Sequence, residues 1–161
     1  MNIKRYIATI ILAIVLLLNF SCTDWLDVKP VDRMSEDQLY STEAGFRQAL
    51  NGIYVELNHA DLYGDELLVN TVEILAQRYK FSSMGTLTNQ YHLAEFDYTT
   101  DYAKKCGSRI WEKAYALIAN VNKLLKNADS HKDLFTGDSY DLITGEAYAL
   151  RAFLHFDLLR L

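Results

Sequence analysis

A chain of 161 residues, 50% hydrophobic and 23% charged, carries enough apolar matter for one buried core and is no disordered tail. Its formal charge is −5, and loss of Lys4 and Arg5 with a leader would leave −7; with no run of Lys and Arg, it excludes a nucleic-acid partner held through phosphates. One Pro and seven Gly among plentiful Ala, Leu and Glu predict helix.

Lys4 and Arg5 precede a run, Ile7–Leu18, that is apolar but for Thr9, has the length of a signal-peptide core and is short for a bilayer span. Residues 1–21 therefore predict an export signal. Asn19-Phe20-Ser21-Cys22 follows, a small residue before a cysteine, as in lipoprotein signals; Asn19 departs from the aliphatic residue usual three positions before the cysteine. In that class the Cys22 thiol takes diacylglycerol, cleavage leaves Cys22 at the new N-terminus, and a further acyl chain completes a stable anchor. Cys106 is then left without a partner in the chain and reads as a buried small hydrophobe in a helix. Residues 22–34 read as a lipidated tether, since the segment is short and mixed and contains the chain's Pro30, which disfavours helix at Lys29.

Residues 35–161 read as one helical domain. Ser35-Glu-Asp-Gln38 has the pattern of a capping box, and Thr42 is a second candidate cap, ahead of Phe46, Leu50, Ile53, Tyr54 and Leu57 at helical spacing. Gly52 is expected to permit close packing in that helix. After a break at His59–Gly64, Leu68, Val72, Leu75 and Tyr79 predict a second helix over Asp65–Phe81, antiparallel to the first. From Ser82 to Thr100 periodicity fails and a long loop is expected, rich first in Ser, Thr, Gly and Asn and then in Tyr and Phe.

Thr100 or Asp101 then caps a long helix running to about Asn127, with Ile110, Trp111, Ala114, Tyr115, Ile118, Val121, Leu124 and Leu125 expected on its buried side. Gly137 or Gly145 is expected to precede the closing helix. There Ile143, Ala147, Leu150, Leu154 and Leu158 form one stripe, while Ala149, Ala152, Phe153 and Phe156 make the helix apolar nearly all round. Such a helix wants neighbours on several sides, and its Ala residues permit another helix to approach closely. The helix reaches Leu161 without a cap, which reads as a chain cut short.

Trp111-x3-Tyr115-x2-Ile118-x-Asn120 followed by GEAYALRAFLHFDLLRL resembles the helix pair near the start of SusD/RagB-type proteins, the outer-membrane nutrient-binding lipoproteins of Bacteroidetes-like bacteria. The Trp25-Leu26-Asp27 start and Gly52-Ile53-Tyr54 resemble the same family. The resemblance implies an all-α fold of irregular tetratricopeptide-like helical hairpins, a lipid anchor in the outer membrane exposed at the cell surface, and a SusC-type TonB-dependent transporter as partner. It also implies capture of an oligosaccharide or peptide that is delivered without chemical change, and no cofactor.

The residues themselves offer no catalytic or metal motif: GxSxG, HExxH, a phosphate-binding glycine loop and paired zinc cysteines are all missing from the sequence. Asp129-Ser-His131-Lys-Asp133 has Leu134 where a calcium loop needs Gly, and reads as a solvated turn. His155 reads as a hydrogen-bonded structural histidine, and Glu146 and Arg151 are expected to reach neighbouring helices. Aromatic faces stack on sugar rings, so Tyr91, Tyr98 and Tyr102 are candidate ligand contacts, with Tyr63 and His92 beside them; packing of irregular helices explains the same tyrosines. The alternatives to nutrient capture are a helical envelope adaptor, a hydrolase whose catalytic part lies elsewhere, and a non-functional fragment.

Overall fold

The computed structural model describes Ile3, Tyr6, Ile7 and residues 34–81 and 88–161. Cys22, nearly all of the apolar leader, the tether up to residue 33 and the polar stretch 82–87 lie outside the described residues. The chain divides into two units, Met1–Met34 and Ser35–Leu161. In the first, Ile3, Tyr6 and Ile7 are helical and exposed.

The second unit is all helical, with no strand among its described residues. Ser35 opens α1 (Glu36–Leu39) as expected: its hydroxyl accepts from the Gln38 N–H at 3.2 Å while the Gln38 side chain accepts from the Ser35 N–H at 3.1 Å. Thr42 caps α2 (Glu43–Leu57), accepting from the Gly45 N–H. The α1–α2 corner is tight. A Cβ on Gly45 would stand 1.7 Å from the Leu39 carbonyl oxygen, so only glycine fits there. Gly52, expected to serve close packing, instead faces open space.

Residues 58–70 wind through irregular turns before α3 (Thr71–Leu75), so the expected helix over 65–81 is cut to five residues. The cause is Glu66. Its side chain turns inward, 3% exposed, and collects Thr71 Oγ1, Asn70 Nδ2 and Arg109 Nη2. To do so the backbone abandons the helical ladder: the Asp65 carbonyl accepts from the N–H groups of Leu68, Val69 and Asn70, and Glu66 N–H reaches back to the Ala60 carbonyl. Leu68 and Val69 are left exposed. Gln77, at φ 60, ends the stretch. Part of the expected loop is in turn a helix, α4 (Thr88–Ala94), which packs on α3 and on the next helix.

Thr100 caps α5 (Asp101–Ser130) by accepting from the Ala103 N–H. A left-handed turn at Gly137, φ 53, precedes α6 (Ser139–Arg160), which leaves Gly145 inside the helix rather than before it. Side-chain pairs fix the directions. Arg151 meets Asn122 and His155 meets Tyr115, so α5 and α6 are antiparallel. Arg47 meets Ser139 and Tyr54 meets Glu146, so α2 runs parallel to α6 and also lies against α5. The helix expected to pair with α2 is replaced by these two.

Between the three long helices Phe46, Leu50, Ile53, Leu62, Ile110, Leu117, Val121, Leu124, Ile143 and Leu154 form the main core. Deleting any of the larger of these side chains costs about 2–5 kcal/mol. Ile74, Leu93, Ala94 and Ala103 form a smaller core that ties α3 and α4 to the start of α5. Trp111 and Tyr115 fall outside both cores, at 53% and 41% exposed, against the sequence expectation. Cys106 is buried and has a free thiol.

Candidate functional site

At the end of the bundle where α5 begins and α6 ends, two grooves of about 530 and 540 Å³ adjoin, sharing Leu75, Tyr98 and Leu161 in their walls. The irregular crossing from α2 to α5 builds one wall and the last turn of α6 the other. The first groove runs along α5, past Leu93, Cys106, Gly107 and Ile110 to Trp111, with Lys104, Ser108 and Glu112 at its margins. The second runs beneath Leu67 and Val72 to Tyr63, Phe153, Asp157 and Arg160. Together they offer an apolar floor, flat aromatic faces and charged groups at the edges, the composition of a small-ligand site.

Tyr98 is the shared aromatic residue, 57% exposed and following the Asp97 corner, whose carboxylate accepts from Thr99 N–H and Oγ1 at 3.0 and 2.6 Å. The Thr99 bonds, first from its hydroxyl, hold the Asp97 carboxyl below the usual carboxylate range. Tyr63 is held firmly: its ring stacks on Phe153 at 5.2 Å and its hydroxyl donates to Asp157 Oδ2 at 2.7 Å. Burial, and then that bond to Asp157, push the Tyr63 phenol well above its ordinary value, so it stays a neutral donor. Asp157 also lies 3.6 Å from Arg160.

Tyr63 and Tyr98 thus meet at the grooves, but the other sequence candidates stand elsewhere. Tyr102 packs against the smaller core, where burial raises its phenol pKa. Tyr91 sits on α4 edge-on to His92, whose Nδ1 lies 3.5 Å from Asp97. His155 is exposed and edge-on to Tyr115 at 6.0 Å. The Asp129–Asp133 stretch is a helix end: Asp129 accepts from the Tyr140 hydroxyl at 2.6 Å and His131 Nδ1 lies 2.9 Å from the Asn127 carbonyl oxygen. Glu146 and Arg151 reach α2 and α5, as the sequence suggested.

Trp111 and Phe153 are groove residues that sequence patterning assigns to packing or misses. Trp111 shares a heptad position with Ile118 and Leu125, both buried, yet stands 53% exposed.

Residues 24–161 match the SusD-like family, described as starch-binding and associating with the outer membrane. The chain belongs to the SusD-like family. It is 27% identical over 146 residues to a SusD-like protein of Formosa agariphila, an alignment that covers 88% of this chain and 27% of that protein. The chain therefore spans about a quarter of the length of the curated relative it matches. No solved structure matches it.

Proposed function

We propose that this SusD-like chain is part of an outer-membrane lipoprotein that captures a glycan outside the cell and passes it, unaltered, to a SusC-type TonB-dependent transporter. On this reading residues 1–21 are removed on export, Cys22 carries the lipid, residues 22–34 lead to the helical body, and binding involves no chemical step. The observation that carries it is the exposed Tyr98, standing where two grooves meet with Trp111 along one and the Tyr63–Phe153 stack along the other, in a chain of a starch-binding family. Sugar C–H faces stack on such rings, and Asp157, Arg160, Lys104 and Glu112 are placed to exchange hydrogen bonds with ring hydroxyls.

Titration calorimetry of the full chain in detergent with a maltooligosaccharide tests the ligand. Tyr98→Ala and Trp111→Ala, both at exposed rings, should each weaken binding by about tenfold, the ~1.4 kcal/mol of an aromatic hot spot. Unchanged affinity in both variants would move the glycan site away from these grooves. The intact mass of the N-terminal peptide from host membranes checks the anchor: a diacylated Cys22 is expected, and an unmodified thiol would remove it. Recovery of a transporter barrel with the tagged chain from the same membranes checks the partner.

A further inference from the structure

Among the described residues, two other than glycine hold a left-handed backbone: Gln77, at φ 60, and Phe96, at φ 58. Each stands just past a helix and closes it in the same way. Gln77 N–H donates to the Ile74 carbonyl and Arg78 N–H to that of Glu73, both at 3.0 Å; Phe96 N–H donates to Leu93 at 3.0 Å and Asp97 N–H to His92 at 2.9 Å. Such a closing turn normally takes glycine at the left-handed position, because a Cβ there carries a cost that glycine avoids. At position 77 the side chain supplies the reason. The turn at Phe96 satisfies two carbonyls of α4 and leaves that of Ala94, a buried residue, to be met from outside the helix; Gln77 Nε2 donates to it at 2.7 Å. The amide thus ties the end of α3 to the end of α4, seventeen residues away.

What the tie holds in place is Tyr98. Its ring is 57% exposed and draws little from packing, so the backbone must place it. That backbone is a short corner: it leaves α4 at Phe96, Tyr98 N–H donates to the Phe96 carbonyl at 3.1 Å, Thr99 closes on the Asp97 carboxylate, and Thr100 caps α5. The far end of the corner is fixed by that cap and by the long helix behind it. The near end is only as well placed as α4, a helix of seven residues that is too short to hold itself. α3 and α4 also carry Leu75 and Leu93, which wall the grooves. A backbone held at a cost beside a ligand groove points to pre-organisation. We infer that Gln77 is a positioning residue for ligand capture: its amide, by holding the Ala94 carbonyl, sets the corner that presents Tyr98, a role that rests on these grooves being the glycan site.

Gln77→Met keeps the length of the side chain but has no donor. In the full chain in detergent, amide exchange at Tyr98 and Thr99 should then run about fivefold faster, the loss expected of one neutral hydrogen bond, while α5 and α6 keep their protection. Affinity for maltohexaose, read by titration calorimetry, should fall by about the same factor. Gln77→Lys, whose ammonium reaches the same carbonyl, should restore both. Gln77→Gly relieves the left-handed backbone but also lacks the donor; it should melt no lower than Gln77→Met and yet bind as weakly, a split that a purely structural role would not give. In a Tyr98→Ala chain, Gln77→Met should lower affinity no further. Unchanged exchange at Tyr98 in Gln77→Met overturns the inference, as does an affinity loss that is equally large in the Tyr98→Ala chain, or full affinity in Gln77→Met where Tyr98→Ala binds weakly. If Tyr98→Ala itself binds as well as the natural chain, the groove reading has failed and the role in capture with it, while the exchange rates still decide whether Gln77 sets the corner.

Discussion

Glu66→Ala isolates the feature on which the groove wall depends. The carboxylate is buried, accepts from Thr71 Oγ1 and from Asn70 Nδ2 at 3.2 Å, and pairs with Arg109 Nη2 at 2.5 Å. Two hydrogen bonds from neutral donors contribute about 0.5–1.5 kcal/mol each, and one from a charged donor about 1.5–3 kcal/mol. Arg109 is half exposed and keeps Asp61 at 3.7 Å, so it recovers water and another anion, and the low end of that range applies. Thr71, 5% exposed, recovers little. The sum is about 3 kcal/mol, which lowers the melting temperature of a domain this size by roughly 10 °C. Thermal unfolding followed by circular dichroism measures it. Because only the 58–75 turns are re-posed, amide exchange should rise at Leu67–Val72 before it rises in α5 or α6. A loss below about 1 kcal/mol, or uniform exchange, would falsify the view that Glu66 shapes this crossing.

Two glycines predict opposite signs for one substitution. Gly45→Ala drives a Cβ to 1.7 Å from a backbone oxygen that needs about 3.3 Å, so the α1–α2 corner must open and stability falls by about 2–4 kcal/mol. Gly52→Ala meets nothing and raises stability by about 0.5–1 kcal/mol, both read from denaturant midpoints. Glu43 accepts from the Ser139 hydroxyl, from Arg47 and from Thr136, which hold its carboxyl down to about 2. A carboxyl whose pKa is lower in the folded state contributes stability that is present above its unfolded value of 4.5 and is lost as pH falls toward about 2. The melting temperature should therefore drop between pH 5 and 2, and less steeply in Glu43→Gln. A difference spectrum on raising the pH should leave Tyr63 un-ionised after the exposed tyrosines have titrated, since burial and Asp157 raise its pKa.

The helical skeleton was legible because its signals are local. Both caps, at Ser35 and Thr42, need only neighbours three residues away, and the 3.6-residue stripes of α5 and α6 name residues that the structure buries, Trp111 and Tyr115 excepted. Residues 65–81 misled because a stripe of Leu68, Val72, Leu75 and Tyr79 is equally helical in period, while Arg109, forty-three residues away, decides where Glu66 goes. The same distance problem hides the site. Trp111 and Tyr115 carry the period of buried residues, yet burial depends on whether a neighbour passes overhead, which no local pattern records.

That mismatch between period and burial connects fold to function. A regular helix over 65–81 would carry Leu68 and Val72 on one face; the inward turn of Glu66 instead breaks that helix, and Val72 and Leu75 line a groove. The anchors of the crossing lie on α5: Arg109 holds Glu66, and the smaller core sets α3 and α4 against the start of that helix. Tyr98 leaves this core at the Asp97 corner, so its position follows from contacts the groove itself does not supply. A ligand entering there meets rings fixed beforehand by the Tyr63–Asp157 bond and the Phe153 stack, and little conformational entropy is lost on binding. The irregular segment, least predictable from period, is thus the one that gives an otherwise ordinary three-helix bundle a concave, aromatic end.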